Sequence, residues 1–484
     1  MADSKDQFSS GTDSEKNDGV SITSVRGGND THFQAFERRT MRLVDFRVLP
    51  LLAVVYAIAL IDRINLGVAR TAGMGADLNL AVGSRFSIVT CLYFIPYILG
   101  QLPGNLVLRL LGARNWLAFC VVAWGAVQLG MGFVPTWGWL ILCRVLLGLF
   151  EAPFFPALVY IISTWYKRYE VQKRLAAFYL SSITISGFSP IIAYGLSLLD
   201  GKKGIAGWEW IFIIEGAITI ALGIVLFYAL PDFPDKNTFL TPEQTAFVLK
   251  RVEDDRGDSI PDKITFKKIL THLGDWTIWA YGVMFMCATT PAYAMSYFIS
   301  IILEGMGYKA KSALLLSAPP YGPAFVSAMA FAWLSDKTQI RSPYIAIQAV
   351  IGIVGLALMA YAPQNGVRYF GTFLVNAGSS GCIPGILAYG ANNVVSQSKR
   401  VVQSAVTVAF GGIGGIIAST VFREVDRPKY VPGLWVTLGM QVLIVVLVGV
   451  MNLHFKRMNR LCDEGKLGGG RKVLEGQPGF RYTL

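Results

Sequence analysis

Long apolar runs alternate with short polar ones along this chain. Apolar stretches cover residues 48–68, 86–108, 115–134, 138–163, 174–199 and 209–229. A polar segment runs from about 230 to 274, and a second set follows at 276–302, 313–334, 343–362, 368–389, 402–422 and 433–454. A helix of about 20 residues crosses the hydrocarbon core of a bilayer, and each run reaches that length. The pattern predicts an all-α membrane protein with twelve transmembrane helices in two six-helix bundles. The boundaries that go with it are an N-terminal tail over 1–46, disordered to about residue 33, a first bundle over 47–230, a linker over 231–274, a second bundle over 275–455 and a C-terminal tail over 456–484.

The polar linker has a structural signal of its own. Thr241-Pro242-Glu243-Gln244 offers a capping Thr, a Pro suited to the first helical position and a Gln placed for reciprocal capping. An amphipathic surface helix is expected from there to about Arg256, stopped by Gly257. The two sets of spans also echo each other. The turn after the second span, "NLVLRLLGARNW", carries Arg109, Gly112 and Arg114. The turn after the eighth, "AWLSDKTQIRSP", carries Asp336, Lys337 and Arg341, a candidate gating turn. Spans five ("SGFSPIIAYG") and eleven ("GGIGGIIAST") are rich in small residues, and prolines interrupt spans two and eight. Duplicated halves with such interruptions are the usual plan of secondary transporters.

Composition agrees with a membrane chain. Hydrophobic residues make up 53% and charged residues 15%, against about 25% charged in soluble domains. The net charge of +12 does not point to nucleic acid, because Lys and Arg concentrate in the tails, the linker and the even-numbered loops. That bias places both termini in the cytoplasm. Cys91, Cys120, Cys143, Cys287 and Cys382 lie inside apolar runs without metal-ligand spacing and read as packing residues; Cys462 is the sixth. No metal or cofactor is expected.

The candidate chemistry is a set of charges inside apolar spans: Asp62 and Arg63 in the first, Arg144 and Glu151 in the fourth. Each costs roughly 2.5–3.5 kcal/mol to place at bilayer depth, so such groups pair or work. Arg144 and Glu151 are two turns apart, about 10.5 Å of rise, and share a helix face. Asp62 and Arg63 diverge by about 100°, so cross-helix pairing between spans one and four is the economical arrangement. In the functional reading Arg63 and Arg144 hold a carboxylate, for which the guanidinium fork is suited, while Asp62 and Glu151 take protons. A static salt-bridge network tying two helices is the alternative. His32, His272 and His454 fall in tails or loops, which leaves proton coupling to carboxylates. Glu215 in span six reads as structural, with no matched cation near it. The second half offers polar candidates only: Tyr293, Ser296 and Tyr297 in span seven, and Asn376, Ser379 and Ser380 in span ten.

These residues resemble a known family. The twelve-span plan with its "SDK" turn is similar to the major facilitator superfamily. "IDRINLGVAR", "YILGQLPGN" and "RVLLGLFEAPFFPALVYIISTWY" resemble its anion:cation symporter branch, and "WEWIFIIEG" with "LPDFPDKNTFLTPEQ" resembles the fungal allantoate permease group of nicotinate, pantothenate, biotin and allantoate carriers. The likeness covers about residues 40 to 460. It implies proton roles for Asp62 and Glu151, anion roles for Arg63 and Arg144, and substrate contact for Tyr97. Gln101 is a candidate for the same cavity, with packing as its alternative; Tyr293, Tyr297 and Asn376 are substrate candidates from the second half. Two departures stand out. Arg109 occupies a position where the superfamily usually has Asp, and Pro153 stands where relatives often have Gly, just beyond Glu151.

The expected function is proton-coupled import of a small organic anion, a carboxylate such as a vitamin acid or an allantoate-like compound. The proton gradient drives it through a monomeric, multi-pass protein of a fungal plasma membrane. The chain is not expected to be an enzyme, since no nucleophile–base pair or metal cluster is present. The alternatives are a proton-antiport exporter of an acidic secondary metabolite and a non-transporting nutrient sensor.

Overall fold

The computed structural model describes residues 22–257, 266–423, 426, 429–465, 473–474, 477–478 and 480–484. The side chain of Arg109 is outside that description. The chain divides into two compact units, Met1–Phe46 and Arg47–Leu484. Of the first, the described residues are helical throughout. A disordered segment was expected to about residue 33, yet helix begins at Ile22. Extending a helix already nucleated costs far less than starting one, so a strong apolar segment carries a polar run with it. Residues 1–21 lie outside the described residues.

Every predicted apolar run falls on helix. The twelve are α1 (Ile22–Ala69), α2 (Arg85–Leu111), α3 (Ala113–Met131), α4 (Trp137–Trp165), α5 (Arg168–Ser186 with Ser189–Ser197), α6 (Gly207–Ala229), α7 (Trp276–Gly305), α8 (Ala310–Ser317 with Tyr321–Thr338), α9 (Ser342–Tyr361), α10 (Asn365–Asn392), α11 (Gln397–Val421) and α12 (Val431–Asp463). Apart from a two-stranded turn pairing Val473–Leu474 with Gln477–Pro478, the regular elements among the described residues are helical. Three helices break where proline removes a backbone donor. α4 breaks between Glu151 and Phe154, at Pro153. α5 breaks before Pro190, and α8 breaks at Pro319 and Pro320.

Short connections make successive helices antiparallel, so the bundle has a far end, where α1 finishes, and a near end, where α12 finishes. Within the first six, α3 packs on α6 and α2 on α4. Within the second six, α7 packs on α11, α9 on α10 and α12, and α8 on α10. The two sets meet where α2 lies on α11 and α5 on α8. A third junction joins α1 to α7 toward the far end. Thr71 Oγ1 donates to Ser300 Oγ at 3.2 Å, and Ser300 Oγ donates to the Gly67 carbonyl at 3.3 Å. Gly67 is required there, because a Cβ would overlap the Tyr297 carbonyl. Phe86 meets Phe298 edge-on at 5.6 Å, and Phe298 stacks on Phe422 at 5.3 Å, so aromatic rings join α2, α7 and the end of α11.

Between α6 and α7 the linker holds the helices Pro242–Gly257 and Phe266–Leu273. The capping box at its start is formed: Thr241 Oγ1 accepts from the Gln244 N–H at 3.3 Å, and Gln244 Oε1 accepts from the Thr241 N–H at 3.1 Å. At the α8–α9 turn Arg341 pairs with Asp336 at 2.6 Å and Lys337 lies over the Trp333 ring. At the α2–α3 turn an Asp arrives from elsewhere in the chain: Asp232, just past α6, accepts from the N–H of Ala113 at 3.0 Å.

Residues 480–484 return to the near end of the second six helices. The Asn459 side chain holds the Tyr482 backbone on both sides, each bond 2.9 Å, and Asn393 does the same for Thr483 at 2.8 and 3.0 Å. Tyr482 stacks on Phe455 with centroids 4.5 Å apart, and the Arg341 N–H donates to the Leu484 carbonyl at 2.6 Å.

Candidate functional site

The charges predicted in spans one and four come together across α1 and α4. Arg63 donates from Nε to Glu151 Oε1 at 2.9 Å and reaches the same oxygen with its second terminal nitrogen. Its remaining nitrogen donates to the Tyr293 hydroxyl of α7 at 3.1 Å, so the pair also touches the second six helices. Glu151 Oε2 accepts from the Tyr93 hydroxyl at 2.7 Å. Both carboxylate oxygens are therefore taken. Glu151 is the last residue before the α4 break, where Pro153 ends the helical ladder.

The other two charges are not paired in this way. Arg144 is fully buried, 0% exposed, and none of its three guanidinium nitrogens has a hydrogen-bond partner. Tyr297, Tyr93, Glu151 and Asp62 are among the titratable groups near it. Asp62 is 1% exposed, and neither of its oxygens is hydrogen-bonded; the Trp124 indole faces it but falls short of bonding geometry. Cross-helix pairing between spans one and four is the expected arrangement. It engages Arg63 and Glu151 only. Asp62 and Arg63, adjacent on α1, diverge as the helical period requires.

Aromatic rings enclose the cations. Arg63 lies 5.5 Å from the centre of the Tyr93 ring and 4.9 Å from that of Tyr97; Arg144 lies 5.6 Å from the same Tyr93 ring. One tyrosine thus faces both guanidiniums, at the distance of a cation–π contact. Tyr93 and Tyr97 stack at 5.5 Å, and Tyr293 and Tyr297 at 6.3 Å. Phe94 stands edge-on to Tyr93, Tyr293 and Tyr297. The place of Tyr93 depends on Gly148, midway between Arg144 and Glu151 on α4, since a Cβ there would overlap the Tyr93 carbonyl.

The remaining candidates are more dispersed. Tyr97 is buried against Arg63. Tyr297 is buried, and its hydroxyl has no partner. Gln101 and Asn376 are buried with their amide nitrogens unpartnered, and no bond ties them to the charged cluster. Ser296 and Ser379 bond back to carbonyls of their own helices, a packing arrangement. Asp336, Lys337 and Arg341 lie at the α8–α9 turn, away from the cluster. Glu215 is held by the Asn65 amide, which in turn accepts from Ser189 Oγ at 2.8 Å; a hydrogen-bonded chain links α6, α1 and α5. Sequence reading missed Tyr93, Asn65 and Ser189. Tyr93 precedes Tyr97 by one helical turn, which was the available signal.

Comparison with known proteins gives a consistent picture. Residues 52–419 match the Major Facilitator Superfamily. The MFS transporter prlL of a fungal species is 31% identical over 90% of this chain and 89% of its own. The high-affinity nicotinic acid transporter of Saccharomyces cerevisiae is 28% identical over 87% of this chain and 79% of its own. Among solved structures, the proton:xylose symporter XylE superposes with a TM-score of 0.65 at 14% identity, covering 83% of this chain and 95% of that one. An inward-facing bacterial homologue of the human lysosomal transporter Spinster gives 0.62 at 16%, with the same coverage. At these identities the two structures speak for the fold alone.

Proposed function

This chain belongs to the Major Facilitator Superfamily, a multi-pass membrane transporter and not an enzyme, and from that premise we propose that it imports a small organic anion together with protons. The observation that carries this reading is Arg144: a fully buried guanidinium whose donors are unclaimed, beside a second guanidinium neutralised by Glu151. A buried cation without a partner is costly, and a carboxylate that binds it bidentately offsets that cost. The ion pair on Arg63 supplies the link to protons. A proton on Glu151 removes the negative charge that occupies Arg63, so the site becomes more positive as it loads and an anion binds better.

The surrounding tyrosines favour a carboxylate with a flat, unsaturated body, since aromatic faces pack on such groups. Nicotinic acid, named for one relative, has that shape. The likeness to the allantoate permease group rests on "WEWIFIIEG" in span six and "LPDFPDKNTFLTPEQ" after it, and the likeness to the wider anion:cation symporter branch rests on the motifs of spans one, two and four. The far-end contacts between α1 and α7 fit a carrier closed on one side, with transport following as the six-helix sets rock about the site. The distribution of Lys and Arg favours cytoplasmic termini, and the fungal relatives favour a fungal plasma membrane. One subunit carries a complete site, in keeping with a monomer.

The test is uptake of labelled nicotinate, pantothenate, biotin, allantoate and succinate by yeast lacking its own carriers, at pH 5 and pH 7, with and without a protonophore. Accumulation of one anion, greater at pH 5 and abolished by the protonophore, supports the reading. No uptake of any of them by protein shown to be at the cell surface counts against it.

A further inference from the structure

Tyr93 holds a position that neither the anion nor the proton role assigns. Its hydroxyl donates to Glu151 Oε2 at 2.7 Å, while its ring lies within 5.6 Å of the guanidinium carbons of both Arg63 and Arg144. The side chain is 0% exposed, and its backbone is seated against Gly148 of α4. One end of Tyr93 thus reads the acid, and its flat face covers the two cations.

We infer that Tyr93 is the positioning residue that couples the state of Glu151 to anion access: bonded to the carboxylate, it keeps its ring over Arg63 and Arg144, and released, it uncovers them. The inference rests on the proposed proton role of Glu151. A hydrogen bond to an ionised carboxylate is roughly twice as strong as one between neutral groups. When a proton binds Glu151, the charge-assisted bond from Tyr93 becomes a neutral one, and the ion pair with Arg63 is lost in the same step. The ring then keeps its contacts with Tyr97, Phe94 and the two guanidiniums but loses its charged anchor, and a carboxylate entering to bind those guanidiniums can displace it. The ionisable groups that face Tyr93 are Arg63 of α1, Tyr97 of its own helix, Arg144 and Glu151 of α4, and Tyr297 of α7. Among these, Glu151 is the acid its hydroxyl touches.

The test is the Tyr93→Phe variant, which keeps the ring and removes the hydroxyl. The probe is whichever anion of the five named above the wild type accumulates, with KM and maximal rate measured between pH 5 and pH 7.5. Wild type is expected to show a KM that rises several-fold with pH. Tyr93→Phe is expected to show a smaller rise in KM than wild type, since only the Arg63–Glu151 pair then opposes the anion at pH 7.5, with a maximal rate within about threefold of wild type. The Glu151→Gln background gives the second measurement, in which adding Tyr93→Phe is expected to change KM no further. A Tyr93→Phe protein that keeps the full wild-type rise in KM overturns the inference, as does an equal effect of Tyr93→Phe with and without Glu151. Should Glu151→Gln alone keep a wild-type pH dependence, the proton role of Glu151 fails, and Tyr93 fails with it for a distinguishable reason. If the wild type accumulates none of the five anions, the import reading falls first.

Discussion

Arg63 and Glu151, 88 residues apart in sequence, form a buried ion pair between α1 and α4 in which every carboxylate oxygen and every guanidinium nitrogen is engaged. Arg144, two turns earlier on the same face of α4, has no hydrogen-bond partner for any guanidinium nitrogen. This asymmetry is the centre of the site. One cation is paired with an acid, and in the proposed function the other receives the anion.

An unpaired buried charge works against folding. Replacing Arg144 with Met, which is similar in length and apolar, is expected to stabilise the protein by about 1–4 kcal/mol and to reduce uptake to background. Thermal unfolding in detergent and transport in cells measure the two effects separately. A variant that is both less stable and still active would remove Arg144 from the site.

The far-end contact between α1 and α7 rests on a glycine. A Cβ at position 67 overlaps the Tyr297 carbonyl, so Gly67→Ala is expected to force α1 from α7 at a cost of about 1–3 kcal/mol. Ser300, buried beneath that contact, is the reporter. In a Ser300→Cys background Gly67→Ala should raise the rate of labelling by a membrane-impermeant maleimide several-fold. Unchanged labelling would mean that the α1–α7 contact does not set closure.

Asp275, ahead of α7, gives a pH-dependent term outside the spans. Burial opposes its charge, but the Lys399 ammonium at 2.6 Å and the Thr277 N–H and hydroxyl outweigh that and hold its carboxyl below the ordinary range. Its stabilisation is therefore complete above the unfolded value of about 4 and is lost as pH falls through the lower folded value. Asp275→Asn is expected to lower stability at pH 7 by about 1 kcal/mol. Unfolding measured from pH 7 down to pH 3 should show that gap closing below about pH 4; a gap that stays constant would exclude the ion pair as its source.

The docked segment 480–484 makes a separate prediction. Asn459→Ala removes two hydrogen bonds to the Tyr482 backbone, at about 1 kcal/mol each. Trypsin cleavage after Arg481 should then become faster in the folded protein. Equal cleavage in both proteins would show that Asn459 does not hold the segment.

Much of this molecule was legible in its sequence, and the illegible parts share a cause. The twelve apolar runs gave twelve helices because bilayer length and backbone hydrogen bonding leave little choice. The Thr241–Gln244 box formed because capping is local. That a pair would form between spans one and four followed from the cost of lone charges. Which charges would stay unpaired did not follow, since that depends on how α1 is rotated against α4. Tyr93 was passed over because a tyrosine in an apolar helix is ordinary packing by sequence; its role comes from the close seat that Gly148 allows. Glu215 lacked a cation partner in sequence and lacks one here, yet the Asn65 and Ser189 that hold it lie on two other helices.

The most direct measurement uses purified protein in liposomes, with wild type and Glu151→Gln compared side by side on the anion that wild type accumulates. Two assays are run: accumulation driven by an imposed pH gradient, and exchange of labelled for unlabelled anion without a gradient. Wild type should do both, and Glu151→Gln should exchange at a comparable rate while failing to accumulate. Gradient-driven accumulation by Glu151→Gln at the wild-type level would show that the proton is carried elsewhere.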